Sequence, residues 1–93
     1  MRYDHNNIFA KIIKKELPCD LINENKNALA FKDISPRAPV HILIVPKKGY
    51  INYHDFISNG SKEEIIDLNE LIKAIITEMK LDHSGYRIIT NTG

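Results

Sequence analysis

Ala28-Leu29-Ala30-Phe31-Lys32-Asp33-Ile34-Ser35-Pro36-Arg37-Ala38-Pro39-Val40-His41-Ile42-Leu43-Ile44-Val45-Pro46 is the stretch on which the fold turns. Two apolar runs, Ala28–Lys32 and His41–Val45, are short, carry β-branched or aromatic residues and read as strands. Between them Pro36 and Pro39 lie within four positions, which removes two backbone donors and excludes regular pairing there. Pro46 stops the second run. Asp33 thus follows the end of one strand, and His41 opens the next.

Outward from this pair, Leu21–Glu24 is a further short strand, joined to Ala28 by the three polar residues Asn25-Lys26-Asn27, as expected of a hairpin. Ahead of it Ile8, Phe9, Ile12 and Ile13 recur at helical spacing, with Lys11, Lys14 and Lys15 on the other face. That short helix starts at Asn6 or Asn7 and ends at Leu17-Pro18, because a residue before proline is pushed out of helical geometry. Downstream, Lys47-Lys48-Gly49 opens what reads as a loop carrying Tyr50, Tyr53 and Phe56. Ser61 and Glu64 then form a capping box. Ile65, Leu68, Ile72, Ile75, Ile76 and Met79 make the apolar stripe of a long helix that runs to about Leu81. Gly85 marks a turn, and Tyr86-Arg87-Ile88-Ile89-Thr90-Asn91 reads as a final strand. Helix, three strands, helix, strand is an antiparallel α+β order, in a single domain over residues 1–93. Thr92-Gly93 is a turn signal that invites one more strand, so the domain is expected to be C-terminally incomplete.

Composition narrows the function. Lys plus Arg is 13 and Asp plus Glu is 12, a net charge of +1. That balance argues against nucleic-acid binding by a basic stripe, and against a polybasic membrane anchor. The lone Cys19 cannot form an internal disulfide and suits a reducing compartment. Apolar runs reach only four residues, as in Ile42-Leu43-Ile44-Val45, and residues 1–20 hold no signal-peptide core, so the expected setting is soluble and cytoplasmic.

Few residues point to chemistry by themselves. The histidines at positions 5, 41, 54 and 83 lack close ligand spacing, and no metal site is expected. The glycines at 49, 60, 85 and 93 are scattered, so no phosphate-cradling loop is present. His41 reads either as a strand-end histidine bonded to a backbone carbonyl or as a functional group at the mouth of the core. Asp33 reads equally as a cap of the Ser35-Pro36 turn. Lys47-Lys48 is placed to meet phosphate or simply to be solvated. Cys19 has nothing beside it to activate its thiol.

Taken together, Asn7–Ile13, Ala30–His41, Ile44–Lys48 and Gly85–Asn91 resemble the histidine triad (HIT) family. The nearest branch is that of the Hint-like purine nucleotide phosphoramidases. The likeness runs in order from about residue 7 onward, and the F-x-D-I-x-P-x-A-P-x-H run from Phe31 to His41 is its most specific part. It implies an antiparallel sheet whose cleft takes a purine nucleoside monophosphate of AMP or GMP type. Ile8, Phe9, Phe31 and Ile34 match the apolar slot around the purine. Asp33 matches the carboxylate that accepts from the ribose hydroxyls, as an ionised, acceptor-only group can. Asn91 matches a polar residue near the phosphate, and His41 the histidine that supports the triad from behind. Asn7 and Ala10 stand where some branches carry zinc-binding cysteines, so neither zinc nor another cofactor is implied. The family is homodimeric, with the long helix and the Tyr86–Asn91 strand near the two-fold axis.

The resemblance stops short of the family's His-x-His-x-His run, whose middle histidine attacks phosphorus and carries the nucleotidyl intermediate. No such run occurs in these 93 residues. Two expectations follow: hydrolysis of nucleoside phosphoramidates by an intact relative, and binding without turnover by this chain. A truncated remnant acting as a dimeric scaffold or weak nucleotide-binding or protein-binding module is the alternative.

Overall fold

Asn25 makes the first turn. Its side-chain Oδ1 accepts from the backbone N–H groups of Asn27 (3.2 Å) and Ala28 (2.9 Å), and its own N–H donates to the Ala28 carbonyl at 3.0 Å. An asparagine that satisfies the backbone two and three residues on stabilises a tight reversal. In the computed structural model, which describes residues 20–33 and 40–92, this turn joins β1 (Leu21–Glu24) to β2 (Ala28–Lys32). The third strand, β3 (Ile42–Pro46), completes an antiparallel sheet of order β1-β2-β3. Leu21 pairs with Phe31 but Asn23 with Ala30, so β1 carries one extra residue around Ile22. β2 and β3 pair without a slip from Ala28 opposite Pro46 to Lys32 opposite Ile42.

Strand alternation gives the sheet two distinct apolar faces. Ala28 and Ala30 point to one side with Ile22, Ile42 and Ile44. Leu29 and Phe31 point to the other with Leu43 and Val45. The first face is covered by the long helix α2 (Lys62–Glu78), which meets all three strands and buries Leu71 and Ile75 against the two alanines. Small residues on the central strand let the helix backbone come close, so large side chains on the helix fill the remaining space. The capping box is complete: Ser61 Oγ accepts from the Glu64 N–H, and Glu64 Oε1 accepts from the Ser61 N–H, each at 3.1 Å.

Three features depart from the reading of the sequence. The buried line of α2 runs through Leu68, Leu71 and Ile75, whereas Met79 at the end of the expected stripe is exposed. Tyr53–Asn59 is not loop but a two-turn helix, α1, started by Asn52, whose Oδ1 accepts from the Asp55 N–H at 2.8 Å. Gly60 ends it, and a Cβ there would stand 2.5 Å from the Phe56 carbonyl oxygen. Finally, after a short helical turn α3 (Leu81–Ser84), residues 86–91 are exposed and pair with no strand among the described residues. Their composition favours a strand, but a strand needs a ladder neighbour, and this segment has none in the sheet described. The expected N-terminal helix lies outside the described residues.

Candidate functional site

The turn Asn25–Asn27 closes one end of the β2–β3 pair's neighbourhood, and Asp33 and His41 stand at the other. The ladder extends one step past the strands, with the Asp33 N–H donating to the His41 carbonyl at 3.1 Å. Adjacent backbones bring the side chains together, and His41 Nδ1 lies 3.3 Å from Asp33 Oδ2. The two side chains are 35% and 18% exposed respectively, so both meet solvent and neither is a surface flag. Of the two readings of His41, the structure therefore supplies a side-chain carboxylate as a partner.

Phe31, two residues before Asp33, is 2% exposed and pairs across the ladder with Leu43. With Leu29 and Val45 these residues form the apolar face turned away from α2. Leu43 and Val45 were missed as companions of Phe31, although alternation of the two strands in register is the signal that finds them. A carboxylate with an imidazole beside it, next to an apolar sheet face, can recognise a molecule with a flat apolar part and hydroxyl donors a few ångströms away.

The remaining expected site residues divide. Ile8, Phe9 and Ile34 lie outside the described residues. Asn91 is exposed on the unpaired segment and has no described contact with the Asp33–His41 pair. His54 sits on α1 and His83 on α3, where its Nε2 is 3.8 Å from Asp82 in an exposed pair. Among the described residues no group of three or more His, Cys, Asp or Glu is arranged to hold a metal ion. Among them too, no helix is long and apolar enough to cross a membrane.

A second polar cluster lies where the β3–α1 connection meets α2. The Tyr50 hydroxyl donates to Glu64 Oε2 at 2.8 Å, and its ring meets Phe56 edge-on at 5.2 Å between centroids. Lys48 Nζ stands 5.8 Å from the Tyr50 ring centroid, a cation–π approach. Partial burial, then the bond to Glu64, pushes the Tyr50 phenol up to about 12. The Ser61 N–H and then the Tyr50 hydroxyl hold Glu64 below the ordinary glutamate range. This cluster fastens α1 to the start of α2 and is structural.

An antiparallel sheet backed by one long capped helix, with a polar pair at one end of its β2–β3 strands, defines a small α+β domain. Comparison with known proteins makes the class specific. The HIT domain family matches residues 14–93, and the chain belongs to that family. It is 54% identical over 91 residues to an uncharacterised HIT-like protein of Rickettsia prowazekii, covering 98% of this chain and 76% of the relative. A histidine triad protein from Clostridium difficile superimposes with a TM-score of 0.81 at 35% identity, over 99% of this chain and 79% of that one. A HIT family hydrolase from Clostridium thermocellum gives 0.80 at 35% identity, over 97% and 77%.

Proposed function

We propose that this chain carries the nucleoside side of a HIT-type purine nucleotide site. In this reading Asp33 accepts from the ribose hydroxyls, Phe31 floors the purine slot with Ile8, Phe9 and Ile34 around it, and Asn91 lies toward the phosphate. The observation that carries it is the Asp33 carboxylate, held at the open end of β2–β3 beside His41 and two residues beyond buried Phe31. Two vicinal hydroxyls offer two donors, and a charged acceptor gains more from them than a neutral one.

Hydrolysis of an AMP–nitrogen bond by the family's route needs a nucleophilic histidine from His-x-His-x-His, and the 93 residues contain none. His41 faces the nucleoside carboxylate, which leaves it no nucleophilic role in this proposal. In this reading the 93 residues bind the nucleotide without turning it over, and the setting is cytoplasmic. Calorimetric titration with AMP, run beside an assay for AMP release from adenosine 5′-phosphoramidate, tests both halves. Binding without release is expected. Absence of AMP binding overturns the site, and sustained release overturns the assignment of turnover to the triad.

A second reading, a homodimeric scaffold, is favoured by one observation. Tyr86, Ile88 and Ile89 are 55%, 66% and 59% exposed in a row on the unpaired segment. An apolar segment of high strand propensity left in water invites pairing with another chain. Light scattering across a concentration series is expected to give the mass of two chains. A mass of 10.7 kDa at all concentrations would remove this reading.

A further inference from the structure

Asn59-Gly60 is the only Asn-Gly step in the sequence, and it falls at the junction of α1 and α2. Asparagine followed by glycine is the step most prone to spontaneous deamidation, because glycine has no side chain to shield its backbone nitrogen from the preceding amide. Packing demands the glycine here: a Cβ at position 60 would stand 2.5 Å from the Phe56 carbonyl oxygen. The fold therefore keeps a labile pair at this junction.

Both reacting groups are engaged while α1 is formed. The Gly60 N–H, whose nitrogen is the nucleophile, donates to the Phe56 carbonyl at 2.8 Å. Asn59 Nδ2, the leaving group, donates to Asp55 Oδ1 at 2.8 Å. The other oxygen of Asp55 accepts from the Ile51 N–H at 2.8 Å, which steadies the carboxylate. Asn59 is exposed, so water reaches its amide. We infer that Asn59 is a self-modification site gated by α1: the formed helix engages the amide and the nitrogen in separate hydrogen bonds, and local opening releases them to react.

In the opened segment solvent base removes the Gly60 amide proton, and the nitrogen attacks Asn59 Cγ. The Cγ–Nδ2 bond breaks, Nδ2 takes a proton from water and leaves as ammonia, and a cyclic succinimide remains. Water then adds to one of the two ring carbonyls and breaks its bond to the Gly60 nitrogen, which regains a proton. Cleavage at Cγ gives aspartate, and cleavage at the backbone carbonyl gives isoaspartate, with the chain routed through the former side chain. Aspartate puts a carboxylate where an amide donated to Asp55, and the last turn of α1 holds no basic residue to offset it. Like charges one helical turn apart oppose the helix. Isoaspartate adds a backbone carbon ahead of Gly60 and draws its N–H away from Phe56. The modification runs one way and loosens the end of α1.

The test incubates the 93-residue chain at mildly alkaline pH, folded and in urea, and locates deamidation by peptide mass mapping and isoaspartyl methyltransferase labelling. In urea Asn59 is expected to convert ahead of every other asparagine. In the folded chain it is expected to convert about tenfold more slowly, the protection that a modest local opening free energy gives. Asp55→Ala removes the acceptor for Nδ2 and is expected to recover much of the unfolded rate. Asp55→Asn keeps an acceptor oxygen and is expected to retain the protection. First conversion at another asparagine overturns the site, and equal rates in the folded and unfolded chain overturn the gating. Full protection in Asp55→Ala overturns the part given to the Asp55 bond. Hydrogen exchange at the Gly60 amide is expected to be slow in the fresh chain and faster in the purified isoaspartate form. Unchanged exchange contradicts the loosening of α1.

Discussion

The two ends of β2 are built on opposite principles. At its start, three consecutive residues of the Asn25–Asn27 turn reach across to α2. Asn25 Nδ2 donates to the Asp67 carbonyl and Asn27 Nδ2 to the Asp67 carboxylate, each at 2.8 Å, and Lys26 Nζ meets Glu63 Oε1 at 3.0 Å. The Lys47 N–H adds a bond to the Asn27 carbonyl at 2.8 Å. At its far end, Asp33 and His41 meet each other across the ladder. One end fastens the sheet to the helix through polar groups that are spent on structure. The other brings an ionisable pair together, only partly exposed, beside the face that α2 does not cover. Redundant fastening at one end would let the opposite end serve the proposed site without holding the fold.

That contrast can be broken from the core outward. Leu71→Ala removes one of the two buried helix side chains packed over Ala28 and Ala30. The loss should be about 2–5 kcal/mol in urea unfolding, enough to unfold much of so small a domain. Asp33→Ala is expected to weaken AMP binding by about 1.5–3 kcal/mol while leaving the urea midpoint nearly unchanged. Asn25→Ala should do the reverse. It removes the turn's internal acceptor and one tie to Asp67, and should cost about 1–2 kcal/mol of stability with AMP affinity unaltered. If Asn25→Ala weakens binding as much as Asp33→Ala does, the two ends are not independent.

The Tyr50–Glu64 bond supplies the smallest effect and a signed pH dependence. Tyr50 has its phenol raised to about 12, so the stability it contributes is complete below the ordinary tyrosine range and is lost as pH climbs through that value. Glu64 is depressed, so its contribution is complete above the ordinary carboxylate range and is lost as pH falls through its lowered value. In an ultraviolet titration a late-ionising tyrosine phase is expected, and Tyr50→Phe should remove it. A titration curve left unchanged by Tyr50→Phe at its alkaline end would contradict the bond.

Much of this architecture was legible in the residues. Asn25-Lys26-Asn27 between apolar runs fixed the hairpin, and the strand bounds of β1 and β2 follow it. Ser61 and Glu64 marked the start of α2 because capping is a short-range interaction written in adjacent residues. α1 was not legible. Seven residues with a single buried side chain, Phe56, give almost no periodic signal, and Tyr, His, Phe and Ile are indifferent helix formers. Leu71 escaped because a nearly continuous run of Ile and Leu makes several stripes equally plausible, and only the position of the sheet selects among them. Residues 86–91 failed for the reciprocal reason: β propensity was present and the neighbour was not. At the site, Asp33 and His41 were each identifiable, but their contact depends on strand register, which two isolated strands do not specify.

The central claim is that ligand recognition belongs to the open end of β2–β3 and structural fastening to the closed end. Amide chemical shifts of the 93-residue chain, followed during titration with AMP, test it most directly. The account predicts saturable shifts at Phe31, Asp33 and His41, with Asn25, Lys26, Asn27 and Asp67 unmoved. Shifts centred on the Asn25–Asn27 turn, or none at saturating AMP, would contradict it.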